Sequence, residues 1–308
     1  MLNYTLSKDN IEKLNYLIQD KNNISILNRF ESSELEEKDY KYFEEIGIIN
    51  KYKLIEKSVD HVIDTLANPY NTVNIMFTGG VSTYEQSINY NDKMDSPVML
   101  TMTPDNIYIK DDDVLGVVDT LQDFVGNSSL KSINYSKKYN ENEAYVIAVF
   151  LDMERKATLR SFIDEMPFSS NSYNVNMLWR VLNSTGSSIQ WYVHILKKII
   201  GEHKVLTQTQ VKEALDSLVK KGDIVQVGSL YQPSAELTSL ASRMIIVDNV
   251  LLVQSVVKKD VDEVISSGFT CVQTGVHDLL FIDFNGEEVI LETISSSKLL
   301  NYITSFIK

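Results

Sequence analysis

The feature that most constrains this chain is an internal repeat in its apolar pattern. Nine core-type positions between Val98 and Val125 fall on core-type positions roughly 182 residues later. Val98, Leu100 and Met102 correspond to Leu280, Ile282 and Phe284. Ile107 and Ile109 correspond to Val289 and Leu291, and Val117, Val118, Leu121 and Val125 to Leu299, Leu300, Ile303 and Ile307. Each set alternates with period two, turns, alternates again, and then changes to the helical period. Such a series reads as strand, turn, strand, amphipathic helix, made twice.

The repeat continues upstream. Val211, Leu215, Leu218 and Val219 mark one face of a helix over Thr209 to Lys220, and Gly222 stands where a left-handed stop belongs. Ile224 to Val227, a Gly228–Ser229 turn and Leu230 to Gln232 read as a short hairpin. A helix follows Pro233, with Leu237, Leu240 and Met244 inward. In the first half Tyr40, Phe43, Gly47 and Ile49 lie about 175 residues before Leu215, Leu218, Gly222 and Ile224. Val59, Val62 and Leu66 precede Leu237, Leu240 and Met244 by about 178. A drifting offset is what small loop insertions produce.

Between these matched stretches the halves read differently. The first half has a strand at Val73 to Phe77, then Gly79–Gly80, then a polar, tyrosine-containing stretch to Ser96. The second half reads as a helix at Asp260 to Ser266. Gly126 to Asn142 is polar and reads as a linker. Ala144 to Leu151 reads as a buried strand and Glu154 to Glu165 as a helix. Ser169 to Asn174 is a second polar break before a helix-rich stretch, Asn176 to Ile200. The expected division is a first α+β repeat over 1–130, a linker over 131–142, and a second repeat over 143–308 with an additional strand and helices. The fold class is α/β of the α+β kind, in two quasi-repeated halves. Each half is a winged-helix-like unit plus a small antiparallel sheet and a closing helix.

Charge narrows the function classes. The chain carries 42 acidic against 29 basic residues, a formal charge of −13, and such a field opposes polyphosphate and anionic membrane surfaces. Lys197 and Lys198 with His203 and Lys204, and Lys220 with Lys221, are the basic clusters, and both are small. Winged helices often dock a helix in the DNA major groove. The outer face here carries Gln208, Lys212, Glu213, Asp216, Lys220 and Lys221, a mixed set. Its first-half counterpart is flanked by Glu36, Glu37, Glu44 and Glu45. A winged-helix DNA-binding regulator is therefore the alternative reading, behind a protein-interaction module.

No local motif carries chemistry. Cys271, the one cysteine, sits among Phe269, Thr270 and Val272 and reads as a small buried side chain in a strand. Gly79–Gly80 is part of no phosphate-cradling pattern and reads as a turn. Asp111, Asp112 and Asp113 lack alternating calcium ligands and a closing Glu, and instead precede a helix, where carboxylates complement its dipole. Glu287 and Glu288 read as a solvated hairpin turn. His61, His194, His203 and His277 show no metal-ligand spacing, and no GxSxG elbow occurs. No catalytic, cofactor or metal site is expected, and no cofactor. Met1 to Asn10 does not read as a secretory signal, and Met244 to Val257 falls short of the roughly 20 apolar residues that span a bilayer. The expected location is the cytoplasm.

The two series, Tyr40 to Val125 and Leu215 to Ile307, in an acidic chain of this length without a catalytic motif, resemble the EspG family, the cytosolic chaperones of type VII (ESX) secretion. The resemblance is one of architecture and carries over no binding residue. It implies two related subdomains, each with sheet and helices. It also implies a non-enzymatic chaperone or adaptor that binds a helical secreted protein and keeps it soluble for export. The stretch in which the halves read differently offers Phe77, Tyr84, Tyr90 and Met94 as candidate partner-binding residues.

Overall fold

The computed structural model describes residues 2–79, 83–111, 114–165, 172–184, 186–201, 205–260, 263–275 and 277–307. The chain forms two compact units. One comprises Met1–Phe124, Leu252–Gly268 and Leu300–Lys308; the other comprises Val125–Leu251 and Phe269–Leu299.

The first unit begins with strand β1 (Asn3–Ser7) and helix α1 (Lys8–Leu17), whose first turn is capped by Ser7 Oγ accepting from the Asn10 amide at 3.2 Å. Helices α2 (Glu37–Glu45) and α3 (Asp60–Ala67) follow. Between them Gly47, at φ 77°, stops α2, and a single bridge joins Ile49 to Ile55. Strands β2 (Asn71–Gly79), β3 (Thr83–Tyr90), β4 (Val98–Met102) and β5 (Asn106–Asp111) come next, then helix α4 (Leu115–Val125). The strands pair antiparallel in the order β1-β5-β4-β3-β2. Leu6, Ile11, Leu14, Phe43, Val62, Leu66, Leu100 and Ile109 belong to the continuous core of this unit.

The second unit repeats the scheme with additions. Strand β6 (Ser136–Asn140) leads into helix α5 (Glu141–Ile163), followed by α6 (Val175–Ser184) and α7 (Tyr192–Ile200). Helix α8 (Gln208–Lys221) ends at Gly222, φ 79°, and strands β7 (Ile224–Val227) and β8 (Leu230–Pro233) form the hairpin before α9 (Ala235–Arg243). Strands β9 (Asn249–Lys258), β10 (Val264–Gln273), β11 (Leu279–Phe284) and β12 (Glu288–Ile294) precede helix α10 (Ser296–Ile307). The order β6-β12-β11-β10 mirrors β1-β5-β4-β3. β9, β10 and α10 divide between the two units.

The helix–glycine–hairpin–helix segment and both strand–turn–strand–helix sets stand as their spacing indicated. Four expectations are corrected. Ala144 to Leu151 is not a strand; it is the centre of the 23-residue helix α5, which Asp164 terminates. Burial on every side removes the periodicity that separates a buried strand from a buried helix. The helix start is nevertheless explicit: Asn140 Oδ1 accepts from the Glu143 amide at 3.0 Å, and Glu143 returns the bond at 2.9 Å.

Asp260 to Ser266 is not a helix, since Val264 opens β10. Of its apolar residues, Val264 and Ile265 are exposed at the start of β10, and 261–262 lie outside the described residues. The polar tyrosine stretch is β3, so the halves agree here too. Gln86, Ser87 and Asn89 are buried in that strand and bond to neighbours. Asn89 Nδ2 donates to the Val98 carbonyl at 3.2 Å, and Thr72 Oγ1 donates to Asn89 Oδ1 at 3.2 Å. Polar residues satisfied inside a sheet hide the alternation that identifies a strand. Within the polar segment read as a linker, Ser136–Asn140 form β6.

Candidate functional site

The four candidate residues occupy different environments in the first unit. Phe77, on β2, is 3% exposed, and its ring lies 4.6 Å from that of Phe124. Tyr90, at the end of β3, is 4% exposed and donates its hydroxyl to the Ile307 carbonyl. Burial pushes its phenol up to about 12. Both are core side chains. Tyr84 is the cross-strand partner of Phe77 and is only half-buried. Its hydroxyl donates to Gln86 Oε1 at 2.6 Å, and burial raises its pKa. Met94 is exposed in the β3–β4 turn at φ 56°. The structure thus leaves Tyr84 and Met94 accessible.

Tyr84 opens onto a cavity of about 420 Å³ lined by Gln86, Met99, Thr101, Tyr108, Lys110 and the start of α4. None of these other residues stands out in the sequence. The signal that would have found them is the offset of the repeat, which places Lys110 on Glu292 and Gly116 on Lys298.

In the second unit, two adjacent clefts of about 350 and 320 Å³ run along α5 and share Asp152, Lys156 and Trp191. Their floor is a buried ion pair. Arg155 donates to Asp152 Oδ1 at 3.0 Å, to the Gln190 carbonyl at 2.7 Å, and to the Ile245 carbonyl through Nε at 3.0 Å and Nη2 at 2.8 Å. Asp152 accepts from the Tyr192 and Val193 amides at 2.9 and 3.1 Å, so it caps α7 from the neighbouring helix. Burial pushes its carboxyl up to about 6, against the pull of Arg155 and those two amides. These partners identify the pair as a structural joint beneath the clefts.

The other groups singled out in the sequence fall into place around structure. Cys271 is buried in β10, and burial pushes its thiol up, away from the reactive thiolate. Among the described residues no three His, Cys, Asp or Glu side chains group as metal ligands. His61 is exposed, His194 lies on α7, His277 follows β10, and His203 is outside the described residues. Asp111 Oδ1 accepts the Leu2 amide; Asp112, Asp113 and Gly80 are outside the described residues. Asn285 Oδ1 accepts from the Glu287 and Glu288 amides at 3.0 and 2.8 Å, which forms the β11–β12 turn.

The basic clusters are partly consumed by the fold. Lys221 pairs with buried Glu143 at 2.6 Å, and Lys197 donates to the Leu182 carbonyl at 3.0 Å. Lys204 lies outside the described residues. Lys212, on the outer face of α8, pairs with Asp216. Exposed apolar side chains are present on both wings. Val225, Val227 and Leu230 project from the β7–β8 hairpin, and Tyr52 and Leu54 from the corresponding first-unit segment. Groups of this kind present area that another protein can cover. No described helix is long and apolar enough to cross a membrane.

These features define a duplicated α+β fold. No family model matches the sequence, and no curated protein matches it. A solved structure shares the fold: the Mycobacterium tuberculosis type VII secretion system chaperone EspG5 in complex with a PE25–PPE41 dimer. The likeness has a TM-score of 0.55 at 11% identity and covers 99% of this chain and 95% of that one.

Proposed function

We propose that this chain is a non-enzymatic chaperone or adaptor of a type VII secretion-like system, acting in the cytoplasm on a helical protein partner. The observation that carries the reading is the end-to-end likeness to EspG5, a chaperone whose structure is that of a complex with another protein. The likeness takes in both repeats and the inserted helices, so it extends beyond a shared winged-helix segment. The apolar wings and the formal charge of −13 suit a protein partner better than a polyanion.

The test is affinity co-purification from the native cytoplasm with nuclease treatment, then mass spectrometry. The candidate is then co-expressed with and without this chain. The expected result is a stoichiometric small helical protein that survives nuclease and stays soluble only when this chain is present. Recovery of nuclease-sensitive material alone, together with a duplex affinity that falls linearly with salt on logarithmic axes, would refute it in favour of DNA binding.

A further inference from the structure

We propose that the cavity beside Tyr84 in the first unit binds a small organic anion, a compact apolar body bearing one carboxylate or phosphate group, with Lys110 as its charge partner. The duplication supplies an internal comparison. In the second repeat Phe269, Phe281 and Glu292 share one face of β10, β11 and β12. The two rings lie 5.0 Å apart, and Glu292 accepts from Lys298 of α10 at 2.8 Å. That face is filled by aromatic side chains and its charge is neutralised within the fold.

By the same strand register the first repeat carries Gln86, Met99 and Lys110 at those positions, and Gly116 stands where Lys298 does. The rings are gone, the charge is reversed, and the helical partner has been reduced to a glycine. What remains is the cavity of about 420 Å³.

Its polar groups are arranged by the fold. Tyr84 donates to Gln86 Oε1 at 2.6 Å, and Thr120 Oγ1 donates to the Gly116 carbonyl at 2.8 Å. Tyr108 and Lys110 are two residues apart on β5 and so on one face, and their side chains have no hydrogen-bond or ion-pair partner among the described residues. A phenol and an ammonium together match the two oxygens of an anionic head group. Met99 and Val117 supply apolar wall, and the volume is of the size that takes small molecules. A single acidic side chain of a protein would leave most of it empty.

The test follows the Met99 methyl by NMR in the full chain labelled at methionine methyls. Phenylacetate, hexanoate and phenyl phosphate are titrated, each against its neutral counterpart: 2-phenylethanol, hexanol and phenol. At least one anion is expected to shift Met99 saturably where its neutral counterpart does not. The double variant Lys110→Glu/Gly116→Lys recreates the pair of the second repeat, and a Cβ at Gly116 meets nothing within 4 Å. It is expected to weaken binding about tenfold or more with the other methionine signals unmoved. Lys110→Met serves if that variant does not fold. The proposal is overturned if no anion outperforms its neutral counterpart at Met99, or if the folded variant binds as the parent does.

Discussion

Replacing Arg155 by Met keeps the aliphatic stem and removes the guanidinium that joins three segments of the second unit. The change leaves Asp152 buried without its cation and leaves the Ile245 and Gln190 carbonyls without their donor. Breaking a buried pair by removing one partner costs about 3–5 kcal/mol. Trp179 and Trp191, the two tryptophans of the chain, both lie in this unit, so their fluorescence in a urea titration reports its unfolding. With a slope of about 2 kcal/mol per molar urea, a loss of about 4 kcal/mol lowers the midpoint by about 2 M.

The pH dependence separates lost charge from lost packing. The Asp152 carboxyl stands at about 6 when folded against an ordinary 3.8. A group whose folded pKa is raised binds its proton more tightly in the folded state. Its contribution therefore favours folding below 3.8 and is lost as the pH rises through that value to about 6. Without Arg155 the folded value rises further, so the deficit of the variant narrows as the pH falls from about 8 to about 5. A midpoint shift under about 0.5 M, or a deficit that does not change with pH, would refute the assignment of Arg155 as the charge partner of a buried carboxylate.

Glu143→Gln removes the charge that Lys221 and Ser217 both address at 2.6 Å, at an expected cost of about 1.5–3 kcal/mol in the same urea assay. Burial pushes the Glu143 carboxyl up, but Lys221, Ser217 and the Asn140 amide outweigh it and hold the carboxyl below its usual range. Its stabilisation is therefore present above the ordinary carboxylate range and lost as the pH falls through the folded value, a dependence Glu143→Gln should lack. Gly47→Ala and Gly222→Ala each force a side chain into the left-handed region, at φ 77° and 79°, with nothing within 4 Å of the new Cβ. Each should cost about 1–2 kcal/mol by calorimetry, and clearly unequal losses would break the equivalence of the two helix stops. Phe77→Ala should cost about 3–5 kcal/mol in thermal unfolding, whereas Met94→Ser should stay within about 0.5.

The sequence made visible the parts of the fold in which one face is apolar and the other polar. Leu215 and Leu218 on α8, and Val98, Leu100, Ile107 and Ile109 on β4 and β5, show their period because one side meets solvent or polar neighbours. Periodicity disappears where both sides are buried, as from Glu143 to Asp152 in α5. It also disappears where the buried residues are polar, as in β3, where Asn89 and Gln86 are satisfied by neighbours that only the folded sheet brings near. The first strand of each repeat is hidden in the sequence for a related reason. β1 and β6 each bury one residue fully, Leu6 and Tyr139, too little for an alternation to register. The candidate surface fared in the same way. Phe77 and Tyr90 are aromatic because the core needs them, and only Tyr84 reaches an open cavity.

A likeness at 11% identity carries the fold and leaves recognition to be argued from this chain's own residues. Positions that agree between the repeats are explained by the fold they share: Gly47 with Gly222, Phe43 with Leu218, Leu100 with Ile282. Specific recognition has to come from the positions that disagree. The second repeat inserts α6 and α7 and ties the start of α7 down with Arg155 and Asp152, beneath the clefts along α5. The first repeat gives up an aromatic pair and an ion pair and opens a cavity at Lys110. Filled cores and neutralised charges stabilise a fold, so a repeat that lacks both at one site, while its counterpart keeps them, is the place where a ligand would supply the missing contacts.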